Sequence, residues 1–259
     1  MLSRYSITLL IFFFLSCCQS TSEKAVHKKD AKNSFVRKIE RAHKKNAFLA
    51  KKAIKFDLDI EFGGKKRLEG TITLLTDSYK ALILLKDSNE IIVIGDDVYH
   101  SPSIEKQDKI RFDAYTWSYF FLLPYKLSDS GTIINTYKDS VLNEKVYNTN
   151  KLTFESGTGD APDDWYILYA NTKSSLLEVA AYIVTAGKST QEAEKDPHAI
   201  KYSNYSKIDN IPIATEWSFW GWKEKEGLTK LLGNAKISNI EFLSDTATLF
   251  EVPEGYLEK

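Results

Sequence analysis

Three carboxylates crowd one short stretch of the chain: Asp160, Asp163 and Asp164, with Pro162 between them. Several hard oxygen donors on one loop are what Ca²⁺ asks for. The stretch lacks EF-hand spacing, however, and Asp-Pro turns cap strands and helices routinely. A turn is therefore the stronger reading, and no metal is expected. The four histidines, His27, His43, His100 and His198, show neither HxH nor HxxxH spacing, which argues against zinc. His198 follows Glu192, Glu194 and Asp196. An acid–base or metal role competes there with a solvated loop ending in a strand-edge histidine, and the loop is favoured. Gly157-x-Gly159 lacks the third glycine and the following helix of a phosphate cradle. No GxSxG elbow is present, which weakens lipase or esterase chemistry. No catalytic residue, metal or cofactor is assigned, and the chain is not expected to be an enzyme. A hydrolase built on Asp160, Asp163, Asp164 and His198 would need all four to converge on one cleft.

Aromatic residues are the stronger candidates. Trp117, Tyr119, Phe120 and Phe121, with Leu123, form one group, and Trp217, Phe219, Trp220 and Trp222 form another. Apolar pockets are lined in this way, but a β core also consumes aromatics. Core packing is the stronger reading for the late group, while the early group is evenly placed between core and pocket. Charge at Phe120 is expected to weaken uptake of an apolar ligand and leave the fold largely intact.

The composition narrows the partners. Lys and Arg number 35 and Asp and Glu 35, for a net charge of zero. That balance offers no basic stripe for phosphates, so no nucleic acid is expected. Clustered cations lie near the N-terminus, from Lys24 to Lys45, where they read as a solvated tether or helix face. Contact with anionic headgroups is the alternative. Arg4 precedes an apolar run from Ile7 to Leu15, too short to span a bilayer, followed by Ser16, Cys17 and Cys18. That order is a secretory signal. Phe14-Leu15-Ser16-Cys17-Cys18 resembles a bacterial lipobox, which implies a diacylated cysteine. Cys17 has the small Ser16 before it, and Cys18 has the apolar Leu15 three places upstream. Cys17 is preferred and Cys18 is the alternative. These are the only two cysteines, so the remaining chain enters an oxidising compartment without a disulfide of its own. Residues 1–16 read as signal peptide, 17–34 as a lipidated tether, and 35–259 as one domain.

The elements that must position these groups are mostly strands. Phe35 to Ala53 has helical spacing of Phe35, Ile39, Ala42, Ala47 and Leu49. Ile54, Phe56, Leu58, Ile60 and Phe62 then alternate strictly with Lys55, Asp57, Asp59 and Glu61, so one face meets a core and the other water. Strands follow at Arg67–Thr76, Lys80–Lys86, Glu90–Ile94 and Val98–His100, joined by Asp, Ser, Asn and Gly turns too short for crossover helices. The meander is therefore antiparallel. Arg111 to Leu127 predicts a short helix stopped near Pro124. Its hydrophobes run all round, so it should be buried or cover something apolar. Further strands are predicted at Lys145–Phe154, Trp165–Ala170, Leu176–Thr185, Ala199–Ile208, Ile213–Trp222 and Ala235–Leu243, with a tail at Leu249–Val252. About ten strands are expected.

A helix, a long meander, an apolar helical insert and more meander behind a lipobox resembles the LolA/LolB-like lipoprotein-carrier superfamily. More narrowly it resembles a lipoprotein family without assigned activity common in marine Bacteroidetes. The likeness rests on Gly159-Asp160-Ala161-Pro162-Asp163-Asp164-Trp165-Tyr166, Ala181-Tyr182-Ile183-Val184-Thr185, His198-Ala199-Ile200-Lys201-Tyr202, Ile213-Ala214-Thr215-Glu216-Trp217 and Phe250-Glu251-Val252-Pro253-Glu254-Gly255. It implies a mainly β fold: a strongly curved antiparallel sheet, an incomplete barrel, with a helical lid over its concave face. The function it implies is binding or carrying a lipid, acyl chain or apolar metabolite. The ligand site would be Trp117, Tyr119, Phe120, Phe121, Leu123, Trp217 and Phe219. The protein would be anchored by its N-terminal lipid in the bacterial outer membrane, facing the periplasm. The alternative is a structural or sensory module that contacts other envelope proteins without a ligand.

Overall fold

The computed structural model describes residues 34–259 apart from residue 139. Cys17 and Cys18, the signal peptide, the tether up to residue 33 and His27 lie outside the described residues. Residues 34–42 are helical (α1), followed by α2 (Lys45–Leu49), α3 (Ile110–Leu122) and α4 (Thr190–Ala193). The strands are β1 (Ala53–Phe62), β2 (Lys65–Leu75), β3 (Lys80–Leu85), β4 (Glu90–Ile94), β5 (Asp97–His100), β6 (Thr132–Thr136) and β7 (Ser140–Leu142). They continue as β8 (Lys145–Phe154), β9 (Tyr166–Asn171), β10 (Leu177–Tyr182), β11 (His198–Ile208), β12 (Ile211–Lys223), β13 (Gly227–Leu243) and β14 (Leu257–Glu258).

All fourteen belong to one antiparallel sheet, ordered β14-β5-β4-β3-β2-β1-β13-β12-β11-β10-β9-β8-β6, with β7 also on β8. The sheet does not close on itself. Its two meanders join where β1 pairs with β13, Ile60 opposite Ala235. The alternation read in β1 holds: Phe56, Leu58 and Ile60 are at most 1% exposed, with half-buried or exposed residues between them. Curvature follows from what α3 touches. Phe121 stacks on Phe56 of β1 at 4.2 Å, Trp117 meets Phe219 of β12 edge-on at 6.1 Å, and Tyr119 meets Tyr166 of β9 at 5.5 Å. One helix reaches both halves of a single sheet only if that sheet wraps around it.

Close approach across the seam depends on a glycine. Phe62, Gly233 and Phe219 are register partners on adjacent strands, and the Phe62 ring leans over Gly233 to meet Phe219 at 4.9 Å. A Cβ on Gly233 would come within 2.3 Å of the Glu61 carbonyl oxygen and 2.6 Å of the Phe62 ring. Gly233→Ala is expected to cost about 1–3 kcal/mol by overpacking, read as a lower urea midpoint with an unchanged slope.

Several expectations need correction. The helix expected over Phe35–Ala53 breaks at Lys44, which takes a φ of 59°, and Ala53 already belongs to β1. Strands β6 and β7 were not expected: the β6 sequence Thr132-Ile133-Ile134-Asn135-Thr136 sets two isoleucines side by side and has no apolar/polar period, and β7 is only three residues long. The first half of β13, Gly227 to Asn234, was missed although it lies between β1 and β12, because its mostly half-buried and exposed residues show no period of two. The tail at 249–252 is not a strand; Phe250 packs at 5% exposure, and the chain rejoins the sheet only at β14, where Leu257 faces His100.

Candidate functional site

The concave face is filled by α3. Ile110, Ala114, Trp117, Phe120, Phe121 and Leu122 are buried, and the 3-10 turn Leu123–Tyr125 adds Leu123 and Tyr125. Trp117, Phe120 and Phe219 pack as a triangle, with both helix residues 6.1 Å from Phe219. Trp217 and Phe219 share parity on β12 and point inward at 2% and 1% exposure. Trp222 points to the opposite face, where it packs among Tyr169, Ile167 and Val179 in a second cluster. The structure thus brings Trp117, Phe120, Phe121, Leu123, Trp217 and Phe219 into one core. Tyr119 keeps its ring half-buried beside Tyr166 and Phe154. With Phe120 only 3% exposed, a charge there would disrupt the core itself, which corrects the expectation that the fold would tolerate it.

Polar groups fix this apolar helix at defined points. Asp113, the one carboxylate buried in α3, takes a two-pronged bond from Arg67 of β2, at 2.6 and 3.1 Å. The same carboxylate accepts the Trp117 indole N–H at 2.9 Å, and the Arg67 guanidinium lies over the Trp117 ring. At the start of the helix Arg111 donates to Asp160 and to the backbone carbonyls of Asp96 and Lys259. The Asp160 carboxylate holds the Arg111 guanidinium pKa above its ordinary value. Tyr202 of β11 donates its hydroxyl to the Phe120 carbonyl at 2.9 Å. Two polar atoms of α3, Ser118 Oγ and Tyr119 Oη, are buried with no hydrogen-bond partner among the described residues. Burial drives the Tyr119 phenol pKa far above its usual range.

Beneath the C-terminal end of α3 lies a small cavity of about 20 Å³, lined by His43, Phe121, Tyr125, Tyr202, Tyr205 and Trp217, among others. That is room for one water. His43 accepts the Leu177 N–H at 3.0 Å through Nε2, which requires a neutral ring. Burial lowers its pKa to about 3. Tyr125 and Tyr205 meet its ring edge-on.

The carboxylate and histidine candidates separate. Asp160 pairs with Arg111, and Asp164 accepts the Thr185 N–H and hydroxyl at 2.8 and 2.7 Å. Asp163 is exposed, and the nearest acid to His198 is Asp196 at 3.7 Å. Among the described residues no group of three His, Cys, Asp or Glu could hold a metal, and no helix is long and apolar enough to cross a membrane. Sequence reasoning missed Arg67, Asp113 and His43. A carboxylate set inside an otherwise apolar helix, four residues before a tryptophan, was the available signal for Asp113.

A family model described as a family of unknown function, DUF6503, matches residues 6–212. No curated protein matches the sequence. Among solved structures, the fold is similar to a LolA superfamily protein from Nitrosomonas europaea, with TM-score 0.51 and 10% identity over 80% of this chain and 97% of that one. A DUF1329 family protein from Desulfovibrio piger gives 0.54 and 14%, over 83% and 96%. A putative outer membrane lipoprotein-sorting protein domain from Vibrio parahaemolyticus gives 0.50 and 10%, over 82% and 94%. At these identities the likeness is one of fold.

Proposed function

The chain belongs to DUF6503, a family of unknown function, and from the geometry of its concave face we propose that it binds and carries a hydrophobic ligand rather than catalysing a reaction. One observation carries this reading: a single sheet wraps its apolar face around one helix, whose own apolar residues fill the trough. Swinging α3 outward would expose Phe56, Phe219, Trp217 and Tyr182 together. An acyl chain, lipid or apolar metabolite would replace the helix, with burial contributing about 25 cal/mol per Å². The orphaned Tyr119 hydroxyl would then find a partner in the polar end of the ligand. The carrier-like fold of the solved neighbours supports the reading as an analogy only. In the same reading the lipidated residue is Cys17, with Cys18 as the alternative, and the anchored domain faces the periplasm from the outer membrane.

The test is native mass spectrometry of the full lipidated chain purified from an envelope fraction, with collisional release and organic extraction. A releasable lipid-like mass, distinct from the covalent anchor and depleted in Tyr119→Phe, is the expected result. A bare protein mass would shift the assignment to an interaction module. That second reading is favoured by one feature: the β7–β8 hairpin exposes Val141 and Val146, 63% and 55% accessible, directly opposite each other.

A further inference from the structure

The trough has a polar end. Tyr166, Tyr182 and His198 are register partners across β9, β10 and β11. They hold the first position of β9, the last of β10 and the first of β11, so they form one row at a single end of three adjacent strands. Successive rings in the row lie 6.0 Å apart. Helix α3 lies over it: Tyr119 sits 5.5 Å from Tyr166, and Phe120 sits 5.0 Å from Tyr182. The apolar floor begins beside the row, where Phe120 also meets Phe219.

A phenol and a neutral imidazole each donate and accept hydrogen bonds. Burial holds the His198 pKa below its ordinary value, so the ring is neutral at pH 7. The Tyr119 hydroxyl is buried without a hydrogen-bond partner among the described residues. The charge beside these groups is negative. Asp164, two residues before Tyr166, accepts the Thr185 N–H and hydroxyl through Oδ1. Among the described residues the one charge that acts on it is Asp163, another carboxylate. Burial raises the pKa of the Tyr119, Tyr166 and Tyr182 phenols, and Asp164 adds to the effect on each. Asp129, which also acts on Tyr119, is matched by Lys126 and Lys45. Lys188 and Asp196 both act on His198, in opposite directions. An ionised carboxylate or phosphate placed here would therefore meet Asp164 without a cation to match it. A protonated amine would offer no acceptor for the phenol protons, whereas a hydroxyl both gives and takes. Given an apolar ligand in the trough, the premise on which this rests, we propose that the ligand is a lipid with an uncharged, hydroxyl-bearing head such as a monoacylglycerol, its head set on the Tyr166–Tyr182–His198 row against Tyr119.

Competitive native mass spectrometry on the full lipidated chain tests this at pH 8, with equal amounts of monomyristoylglycerol, myristate and tetradecylamine. The three share one tail length, so the adduct ratio reports the head alone. The glyceride adduct is expected to exceed each of the others by about tenfold, the effect of burying an unmatched charge or phenol. Tyr119→Phe removes a hydroxyl that bonds to nothing in the closed form, so the fold should hold while the glyceride adduct falls about fivefold, one lost hydrogen bond. Asp164→Asn keeps an oxygen for Thr185 and removes the charge. It should raise the myristate adduct severalfold and leave the glyceride within about twofold. Myristate or tetradecylamine equal to the glyceride in the parent protein would overturn the uncharged head and leave the carrier reading standing. An unchanged glyceride adduct in Tyr119→Phe, or an unchanged myristate adduct in Asp164→Asn, would overturn the placement of the head. Adducts of none of the three would sink the carrier reading itself, and this assignment with it.

Discussion

Arg67→Met is expected to lower Tm by roughly 5–10 °C and to speed uptake of an apolar fluorescent probe severalfold. The variant keeps the aliphatic stem over Trp117 but strands the Asp113 carboxylate, whose side chain is 13% exposed. Breaking a buried pair from one side costs about 3–5 kcal/mol. Arg67 is itself 26% exposed, so water reaches the gap and about 2–3 kcal/mol is the better expectation. In a domain of this size each kcal/mol moves Tm by about 2–4 °C. The loss falls on the contact that ties α3 to β2, so it acts on the closed form of the lid. Asp113→Asn should be milder, because an amide oxygen can still accept the Trp117 indole N–H. Probe uptake followed by stopped flow, beside calorimetry, separates the two roles of the helix. Lower Tm with faster uptake supports a mobile lid. Lower Tm with unchanged uptake would mean that α3 is a permanent part of the core, and the carrier proposal would fail with it.

Acidification is expected to remove about 3 kcal/mol of stability between pH 6.5 and pH 4 through His43 alone. The folded ring is held neutral by burial, with its pKa lowered to about 3. Above pH 6.5 both states carry a neutral ring, and the group makes no pH-dependent contribution. Below it the unfolded chain takes up a proton that the folded chain refuses. Unfolding therefore gains about 1.4 kcal/mol per pH unit until the folded pKa is reached. Protonation would also turn Nε2 from acceptor to donor, against the Leu177 N–H it now receives. His43→Gln retains an acceptor for that N–H without a titrating ring. Urea unfolding of parent and variant at pH 7, 5.5 and 4 should show a difference that shrinks steadily with acid, while all other titrating groups cancel. Parallel losses in the two proteins would contradict the assignment.

Much of the frame was legible in the chain. The strict alternation of β1 predicts its buried face, and β4 and β8 run between the residues that the pattern marked. Helix α3 was expected near its observed place, stopping near Pro124, and its all-round apolarity foretold that it would be buried or cover something apolar. Strands with one wet face carry a period of two that survives whatever they pack against. The short sequences Thr132–Thr136 and Ser140–Leu142 carry no such apolar/polar period, which is why β6 and β7 stayed hidden. The polar fixings were hidden for another reason. Arg67 and Asp113 lie 46 residues apart, His43 and Leu177 lie 134 apart, and no local pattern couples such pairs.

Residue order by itself therefore determined the antiparallel meander and an aromatic helix that is buried or covers something apolar, because each follows from local periodicity and solvent exclusion. Only the tertiary structure decided that α3 occupies the trough rather than bridging its rim, and that Asp160 serves Arg111 rather than a metal. Those outcomes depend on how far one sheet curls before its ends are covered. Curvature is a sum over contacts between distant strands, and no single segment encodes it.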